Sequence, residues 1–121
     1  MTPDQLDNAF NHALKHLDAF HAQLRVSQLR FLNAVQRMPG STQTELANEL
    51  DVTLAAVSRA VDVFGEVSRK KSDRQKGLGL VTAERTSDDD RVLTVRLTSK
   101  GENFMKHLKE IFNVHLKEAN R

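Results

Sequence analysis

The sequence predicts a mainly α-helical domain with a small antiparallel β-hairpin near its C-terminal end. Two observations lead to this fold class. Apolar residues recur at three- and four-residue spacing through most of the 121 residues, as they do in amphipathic helices. Between residues 80 and 97 the period changes to two, as in strands that bury one face. The predicted order of elements is therefore α-α-α-α-β-β-α, in a single domain that spans residues 1–121.

The first two helices are predicted from their apolar stripes. The first covers about residues 4–24, and its stripe consists of Leu6, Phe10, Ala13, Leu14, Leu17, Phe20 and Leu24. The second runs from Val26 to Val35 with the same spacing. The proline and glycine of "MPGS", residues 38–41, end it.

Two shorter helices follow, each opened by a threonine. Thr42 and Glu45 have capping-box spacing, in which each side chain bonds to the backbone of the other residue, and they open a helix through Leu50. "DVT" interrupts the pattern, and Thr53 caps a fourth helix. The expected buried positions of that helix are Leu54, Val57, Val61 and Phe64.

Two strands and a helix complete the chain. "LVTAER", residues 80–85, and "VLTVRL", residues 92–97, are predicted to pair as a hairpin with the polar "TSDDD" at its exposed tip. Leu93, Val95 and Leu97 would face the core. A last helix begins at Thr98 or Ser99. Its apolar side carries Phe104, Leu108, Ile111, Phe112 and Leu116.

The composition excludes several classes of function. The chain has no cysteine, which removes disulfide frameworks, thiolate zinc sites and thiol nucleophiles. No apolar run approaches the roughly 20 residues of a membrane span, and the N-terminus lacks the features of a secretory signal. No serine, histidine and acid set or carboxylate pair stands out. We therefore expect a soluble, cytoplasmic protein that is not an enzyme and has no cofactor.

The third and fourth helices have the spacing of a helix-turn-helix. Ala47 is the small residue that allows close packing of the two helices, and Val57 lies ten positions later. Asp51 stands at the turn where glycine is commonest, and aspartate enters the left-handed backbone region more readily than most residues. Together with the hairpin, these residues predict a winged helix.

The outer face of the fourth helix is the predicted DNA-reading surface. Its residues are Thr53, Ala55, Ala56, Ser58 and Arg59. Small side chains let a helix enter the major groove, and Arg59 can pair with guanine edges. The alternative is that Arg59 belongs to a solvated helix face.

Two segments resemble MarR-type winged-helix transcriptional regulators. They are "TQTELANELDVTLAAVSRAVD" and "GLVTAERTSDDDRVLTVRLTSKG". The most specific pieces are Gly-Leu-Val at 79–81, Asp-Asp-Arg at 89–91 and Leu-Thr-Ser-Lys-Gly at 97–101. The resemblance implies a homodimer that binds double-stranded DNA at a two-fold site and regulates transcription, most simply by repression.

The same resemblance implies roles for three residues of the wing. Arg91 would approach a minor groove, Asp89 would order the wing tip, and Arg85 would face the DNA backbone. A rival function is a winged-helix module that binds another protein, such as a polymerase or another regulator, without reading DNA sequence.

A basic segment departs from the family pattern. In "SRKKSDRQKG", residues 68–77, five of the ten residues are Lys or Arg and one is Asp. Next to a DNA-reading helix, such charges would hold phosphates. The expected phosphate-binding residues are Gln43, Thr44, Arg69, Lys70, Lys71, Arg74 and Lys76. The segment could be a loop or an extension of the recognition helix, and its other interpretations are a solvated connector or a protein-docking surface.

The terminal helices, about residues 4–24 and 99–118, are the predicted dimerisation arms. Their apolar faces exceed what one small core covers, and a second copy would bury them. The expected interface consists of Leu6, Phe10, Leu14, Leu17, Phe104, Leu108 and Phe112. The alternative is that these side chains pack within one monomer.

Two other possible sites are not supported by the sequence. His12 and His16 share a helix face, but no further ligand accompanies them, so no metal site is expected. Members of the family often sense small molecules between the dimer arms and the DNA-binding lobes. With neither Trp nor Tyr in the chain, the sequence identifies no such effector site.

Overall fold

A computed structural model describes residues 2–20, 24–65, 77–85 and 93–119. The elements are α1 (Pro3–Phe20), α2 (Val26–Arg37), β1 (Ser41–Thr42), α3 (Gln43–Leu50), α4 (Leu54–Phe64), β2 (Val81–Arg85), β3 (Leu93–Leu97) and α5 (Ser99–Ala119). The predicted mainly helical fold with a small antiparallel hairpin is confirmed. None of the helices in these ranges is long and apolar enough to cross a membrane.

The sheet has three strands, in the order β1-β3-β2. In the hairpin, Val81 pairs with Leu97 and Arg85 with Leu93. The strand β1 was not predicted, because two residues are too few to show a period of two. It pairs with β3 on the other side and leads directly into α3. The sheet is therefore attached to the start of the helix-turn-helix.

Two predicted boundaries are corrected. The helix α1 was expected to reach Leu24, but in the described residues it ends at Phe20, and Leu24 packs against the core from the connection to α2. The first strand begins one residue later than predicted, at Val81. The strand β3 is described from Leu93 onward, and its predicted first residue, Val92, lies outside the described ranges. Leu80 lies outside the ladder because its backbone N–H donates to the carbonyl of Phe64 at 2.7 Å.

The core is built from α2, the helix-turn-helix, the hairpin and α5. Its largest fully buried side chains are Phe64, Leu32, Leu46, Leu80, Val35, Val57, Val81 and Val95. The rings of Phe31 and Phe64 stack with their centroids 6.0 Å apart, which joins α2 to α4. Burying one large apolar side chain contributes about 1.5–3 kcal/mol. The packing of α2, α4 and the hairpin therefore holds the helix-turn-helix in place.

The Leu-Thr-Ser-Lys-Gly segment at 97–101 closes the wing onto α5. The hydroxyl of Thr98 donates to the carbonyl of Gly79 at 2.6 Å and accepts from the backbone N–H of Gly101 at 3.1 Å. A Cβ atom on Gly101 would lie 2.0 Å from the carbonyl oxygen of Leu80. Glycine is required at residue 101 because backbone from the wing occupies the space of a side chain.

The helices α1 and α5 pack against each other within one chain. Phe104 is only 5% exposed, and its ring centroid lies 4.4 Å from that of Phe20. Its assignment to an exposed dimerisation face is corrected, because α1 covers it. Leu17 and Leu108 are half-buried against the same core. The other predicted interface residues, Leu6, Phe10, Leu14 and Phe112, are exposed.

Candidate nucleic-acid interface

The two helices of the predicted DNA-binding unit are joined by a turn that their own residues stabilise. At the start of α3, the Thr42 hydroxyl accepts from the Glu45 N–H at 3.1 Å, and the Glu45 carboxylate accepts from the Thr42 N–H at 3.0 Å. The predicted capping box is present. At the end of α3, Asp51 has a left-handed backbone with φ of 55°, and the Val52 N–H donates to the Ala47 carbonyl at 3.0 Å. This pattern ends a helix sharply and sets the direction of the chain that follows.

The helix α4 begins with a second cap. The Thr53 hydroxyl accepts from the Ala56 N–H at 3.1 Å, which satisfies one of the free donors at the helix start. Val57, Val61 and Phe64 are buried. The opposite face of α4 is consequently turned away from the core.

The predicted reading residues lie on or beside this outer face. Thr53, Ala55 and Arg59 are exposed, and Ala56 and Ser58 are half-buried. Ala55 and Arg59 are four residues apart, so they lie one helical turn from each other on the same side. A small residue next to a long cation is an arrangement that fits a groove lined with base edges.

The predicted burial of Leu54 is corrected. This residue was expected to be buried, but it is 52% exposed. Leu54 is the first residue of α4, and the buried face of this helix begins one turn later, at Val57. An exposed leucine at the start of the helix adds an apolar surface of the kind that contacts thymine methyl groups. The apolar pattern alone could not distinguish this position from a core position.

The predicted phosphate-binding and wing residues are only partly within the described chain. Thr44 is exposed and Gln43 is half-buried, both in the first turn of α3. The Gln43 Nε2 atom is buried and has no hydrogen-bond partner among the described residues. Arg85 is exposed and ends β2. The remaining predicted residues lie outside the described ranges; these are Arg69, Lys70, Lys71, Arg74, Lys76, Asp89 and Arg91.

The described residues on either side of residues 66–76 lie next to each other. The helix α4 stops at Phe64, and Gly65 has an extended backbone, so an uninterrupted extension of the recognition helix is excluded. The N–H groups of Leu78 and Gly79 donate to the carbonyls of Val63 and Gly65, each at 3.0 Å. Gly65, Leu78 and Gly79 are therefore held together beside the C-terminal end of α4, and residues 66–76 lie outside the described ranges.

A cavity of about 350 Å³ lies between α2 and α4. Its walls include apolar side chains such as Phe31, Val57 and Val63, and three arginines contribute to the lining. These are Arg25, Arg30 and Arg59. The Arg30 guanidinium also donates to the carbonyl of Leu50 at 3.2 Å, which ties α2 to the end of α3. Sequence reasoning missed Arg25 and Arg30, because no local signal places residues of α2 beside Arg59.

A protein-family model matches the part of the chain that contains the helix-turn-helix. The model of the MarR family matches residues 22–64, a range that contains α2 and the whole helix-turn-helix. The resemblance to the MarR family is confirmed. The matched range ends at Phe64, which is the last residue of α4 and lies four positions before the basic segment.

Several solved structures share the fold of this chain. Streptococcus pneumoniae FabT, solved in complex with DNA, is 18% identical with a TM-score of 0.66, and the match covers 96% of this chain and 77% of FabT. MarR from Listeria monocytogenes is 23% identical with a TM-score of 0.62, and 94% and 68% of the two chains are covered. Streptomyces coelicolor PcaV, solved with its natural ligand, is 18% identical with a TM-score of 0.61, over 97% and 77%. No curated protein matches the sequence significantly. At these identities, the structural similarity shows the winged-helix fold.

Proposed function

We propose that this protein is a sequence-specific, double-stranded DNA-binding transcriptional regulator. The observation that carries the proposal is the outer face of α4, where exposed Ala55 and Arg59 lie one turn apart on a helix whose start is set by Asp51 and Thr53. A helix presented in this way can lie in the major groove. The DNA complex of the structurally similar FabT supports the same role. Binding to an inverted repeat would most simply repress transcription, by occluding a promoter.

The proposed DNA-binding residues fall into two groups, those that read bases and those that bind phosphates. Base reading is assigned to the outer-face residues Thr53, Ala55, Ala56, Ser58 and Arg59. Phosphate binding is assigned to Gln43 and Thr44, and to the basic residues Arg69, Lys70, Lys71, Arg74 and Lys76. Gln43 and Thr44 both lie in the first turn of α3, where the side chain of Thr44 is exposed. Arg85, Asp89 and Arg91 form the proposed wing contact.

The homodimer is proposed on the exposed apolar stripe of α1. Leu6, Phe10 and Leu14 follow one another at four-residue spacing and are 54%, 56% and 47% exposed. Exposed apolar stripes of this kind mark interaction surfaces, and a two-fold DNA site requires two reading helices. Sedimentation equilibrium of the Phe10→Asp variant should show monomers where the unmodified chain forms dimers. Asn11→Asp adds the same charge at a neighbouring exposed position and should leave the dimer intact; if it also dissociates the dimer, the stripe is not the interface.

The cavity beside Arg59 favours an effector as a second element of the function. Its apolar walls and three arginines suit a small anionic molecule with an apolar body, and its volume falls within the usual range for ligand sites. The bound ligand of PcaV supports such a role. A carboxylate drawn to Arg59 would withdraw that side chain from DNA. Benzoate should therefore release bound duplex from the unmodified chain but not from Arg25→Ala, whereas equal release from both would remove this cavity as the effector site.

Selection of bound duplexes from a randomised pool tests the main proposal. A salt concentration of about 150 mM suppresses purely electrostatic binding. An enriched inverted repeat, with half-sites about one helical turn apart, is the expected result for a dimeric reader. A pool with no enriched sequence would contradict sequence-specific binding and favour the protein-docking module instead.

A further inference from the structure

The fold brings together two histidines from opposite ends of the chain. His12 lies on α1 and His115 on α5, and their Nδ1 and Nε2 atoms are 3.3 Å apart. The ring centroids are separated by 5.5 Å, and the ring planes meet at 78°. One nitrogen of each imidazole therefore lies close to a nitrogen of the other, across the contact between the first and last helices.

This separation fits two ligands of one metal ion. It is slightly longer than the usual 2.7–3.2 Å of a hydrogen bond donated by an N–H group. Two imidazole nitrogens bound at about 2.05 Å to a tetrahedral ion lie about 3.3 Å apart. We propose that His12 Nδ1 and His115 Nε2 form a binding site for a divalent transition-metal ion, such as Zn²⁺ or Ni²⁺, that joins α1 to α5.

The surroundings of the pair set the class of ion. His12 is exposed and His115 is half-buried, so an ion can enter from solvent and keep water in its remaining coordination positions. Within the described residues there is no group of three or more metal-ligating side chains, so this part of the chain supplies two ligands, His12 and His115. Imidazole favours zinc, nickel and copper, whereas magnesium and calcium prefer oxygen ligands.

His16 does not belong to this pair, although its spacing from His12 first suggested a site. Its ring stacks on that of Phe104, with the centroids 5.7 Å apart. This places His16 in the packing between α1 and α5. The partner of His12 comes from a residue 103 positions away, which no spacing within one helix indicates.

Metal-dependent stability of the full, untagged chain tests the site. Saturating ZnCl₂ should raise the thermal midpoint by roughly 3 °C or more, because an ion that binds only the folded chain stabilises it. MgCl₂ should not change the midpoint. The rise should disappear in His12→Ala and in His115→Ala. It should persist in His107→Ala, which removes an exposed histidine from α5 outside the pair.

Comparing each variant with and without metal separates ion binding from the direct contact between the rings. Either alanine substitution can lower the metal-free midpoint, but only loss of the zinc-induced rise tests the site. Isothermal titration at a temperature where all variants are folded should give one Zn²⁺ per chain, with affinity at least tenfold weaker in His12→Ala and His115→Ala. The proposal is overturned if zinc causes no rise, if the rise survives in either variant, if it is lost in His107→Ala, or if one ion binds per two chains.

Discussion

The helix-turn-helix and the α1–α5 pair place their residues by different physical means. In the helix-turn-helix, each junction has its own local interaction: the Thr42 capping box, the left-handed Asp51 and the Thr53 cap. The pair formed by α1 and α5 depends on packing between distant segments. On α1 the buried residues are the small Ala9 and Ala13, whereas Leu6, Phe10 and Leu14 of its stripe are exposed.

The two regions differ in how far their large apolar side chains are buried within the described part of the chain. Small buried residues let α1 approach α5 closely, and within the described residues Leu6, Phe10 and Leu14 remain exposed. The helix-turn-helix, in contrast, buries most of its large apolar residues in the core and exposes Val52, Leu54 and Val63 together with small or charged residues. The predictions below test whether the two regions differ in this way, from the largest expected effect to the smallest.

Phe64→Ala and Phe10→Ala contrast a buried aromatic residue with an exposed one. Phe64 is fully buried against Phe31, so its truncation should lower the free energy of unfolding by about 3–5 kcal/mol. Phe10 is exposed, so its truncation should change the free energy of unfolding of the monomer by less than about 0.5 kcal/mol. Urea denaturation at a protein concentration that keeps the chain monomeric measures both. Equal losses would mean that α1 covers its stripe within the monomer.

Gly101→Ala tests the closure of the wing onto α5. The added Cβ would meet the Leu80 carbonyl oxygen at 2.0 Å, so the backbone would have to shift, at a cost of about 1–3 kcal/mol in the free energy of unfolding. Ser99→Ala, at an exposed position in the same first turn, is the matched control and should cost less than about 0.5 kcal/mol. Thermal denaturation compares the two variants. A stable Gly101→Ala chain would show that the wing base can move away from α5.

The variants Arg59→Ala and Lys70→Ala distinguish base reading from phosphate binding. Loss of Arg59 should weaken binding to the selected site by roughly 1–3 kcal/mol and relax base preference at one position, without changing the free energy of unfolding. Loss of Lys70 should weaken binding to all duplexes alike and make the dependence on salt less steep. Fluorescence anisotropy with matched and scrambled duplexes at several salt concentrations distinguishes them. Identical behaviour of the two variants would contradict the proposed division of roles.

Thr53→Ala should have the smallest effect. It removes the acceptor for the Ala56 N–H at the start of α4 and should lower the free energy of unfolding by about 1 kcal/mol. Thr53→Ser keeps the hydroxyl and should retain most of that stability. Chemical denaturation gives the difference. If serine costs as much as alanine, then the methyl group of Thr53, and not its cap, is what stabilises the helix.

Local features of the fold were predictable from the sequence, and most of the errors concern tertiary contacts. The capping box at Thr42 and the turn at Asp51 depend on neighbouring residues, and both were predicted correctly. Leu54 was expected to be buried and is exposed, whereas Phe104 was expected at an exposed interface and is buried. The apolar pattern identifies apolar side chains but does not show which of them another segment covers. The two-residue strand β1 was missed since its order comes from pairing with β3, more than fifty positions later.

The candidate site shows the same division. The outer face of α4 followed from the helical period once its buried face was known, and Ala55 and Arg59 are exposed as expected. Arg25 and Arg30 were missed because they come from α2 and reach the cavity beside Arg59 only through packing. Among the wing and phosphate-binding residues, those outside the described ranges remain predictions.

The sequence by itself determined where α3 and α4 start, how the helix-turn-helix turns, and which face of α4 points outward. These features arise from hydrogen bonds and backbone preferences that act within a few residues. The tertiary structure alone decided that α1 buries its alanines, that Arg25 and Arg30 line a cavity with Arg59, and that His12 meets His115. These contacts join segments far apart in the chain, and only the packing of the whole core selects one set of them from the many that the same apolar pattern allows.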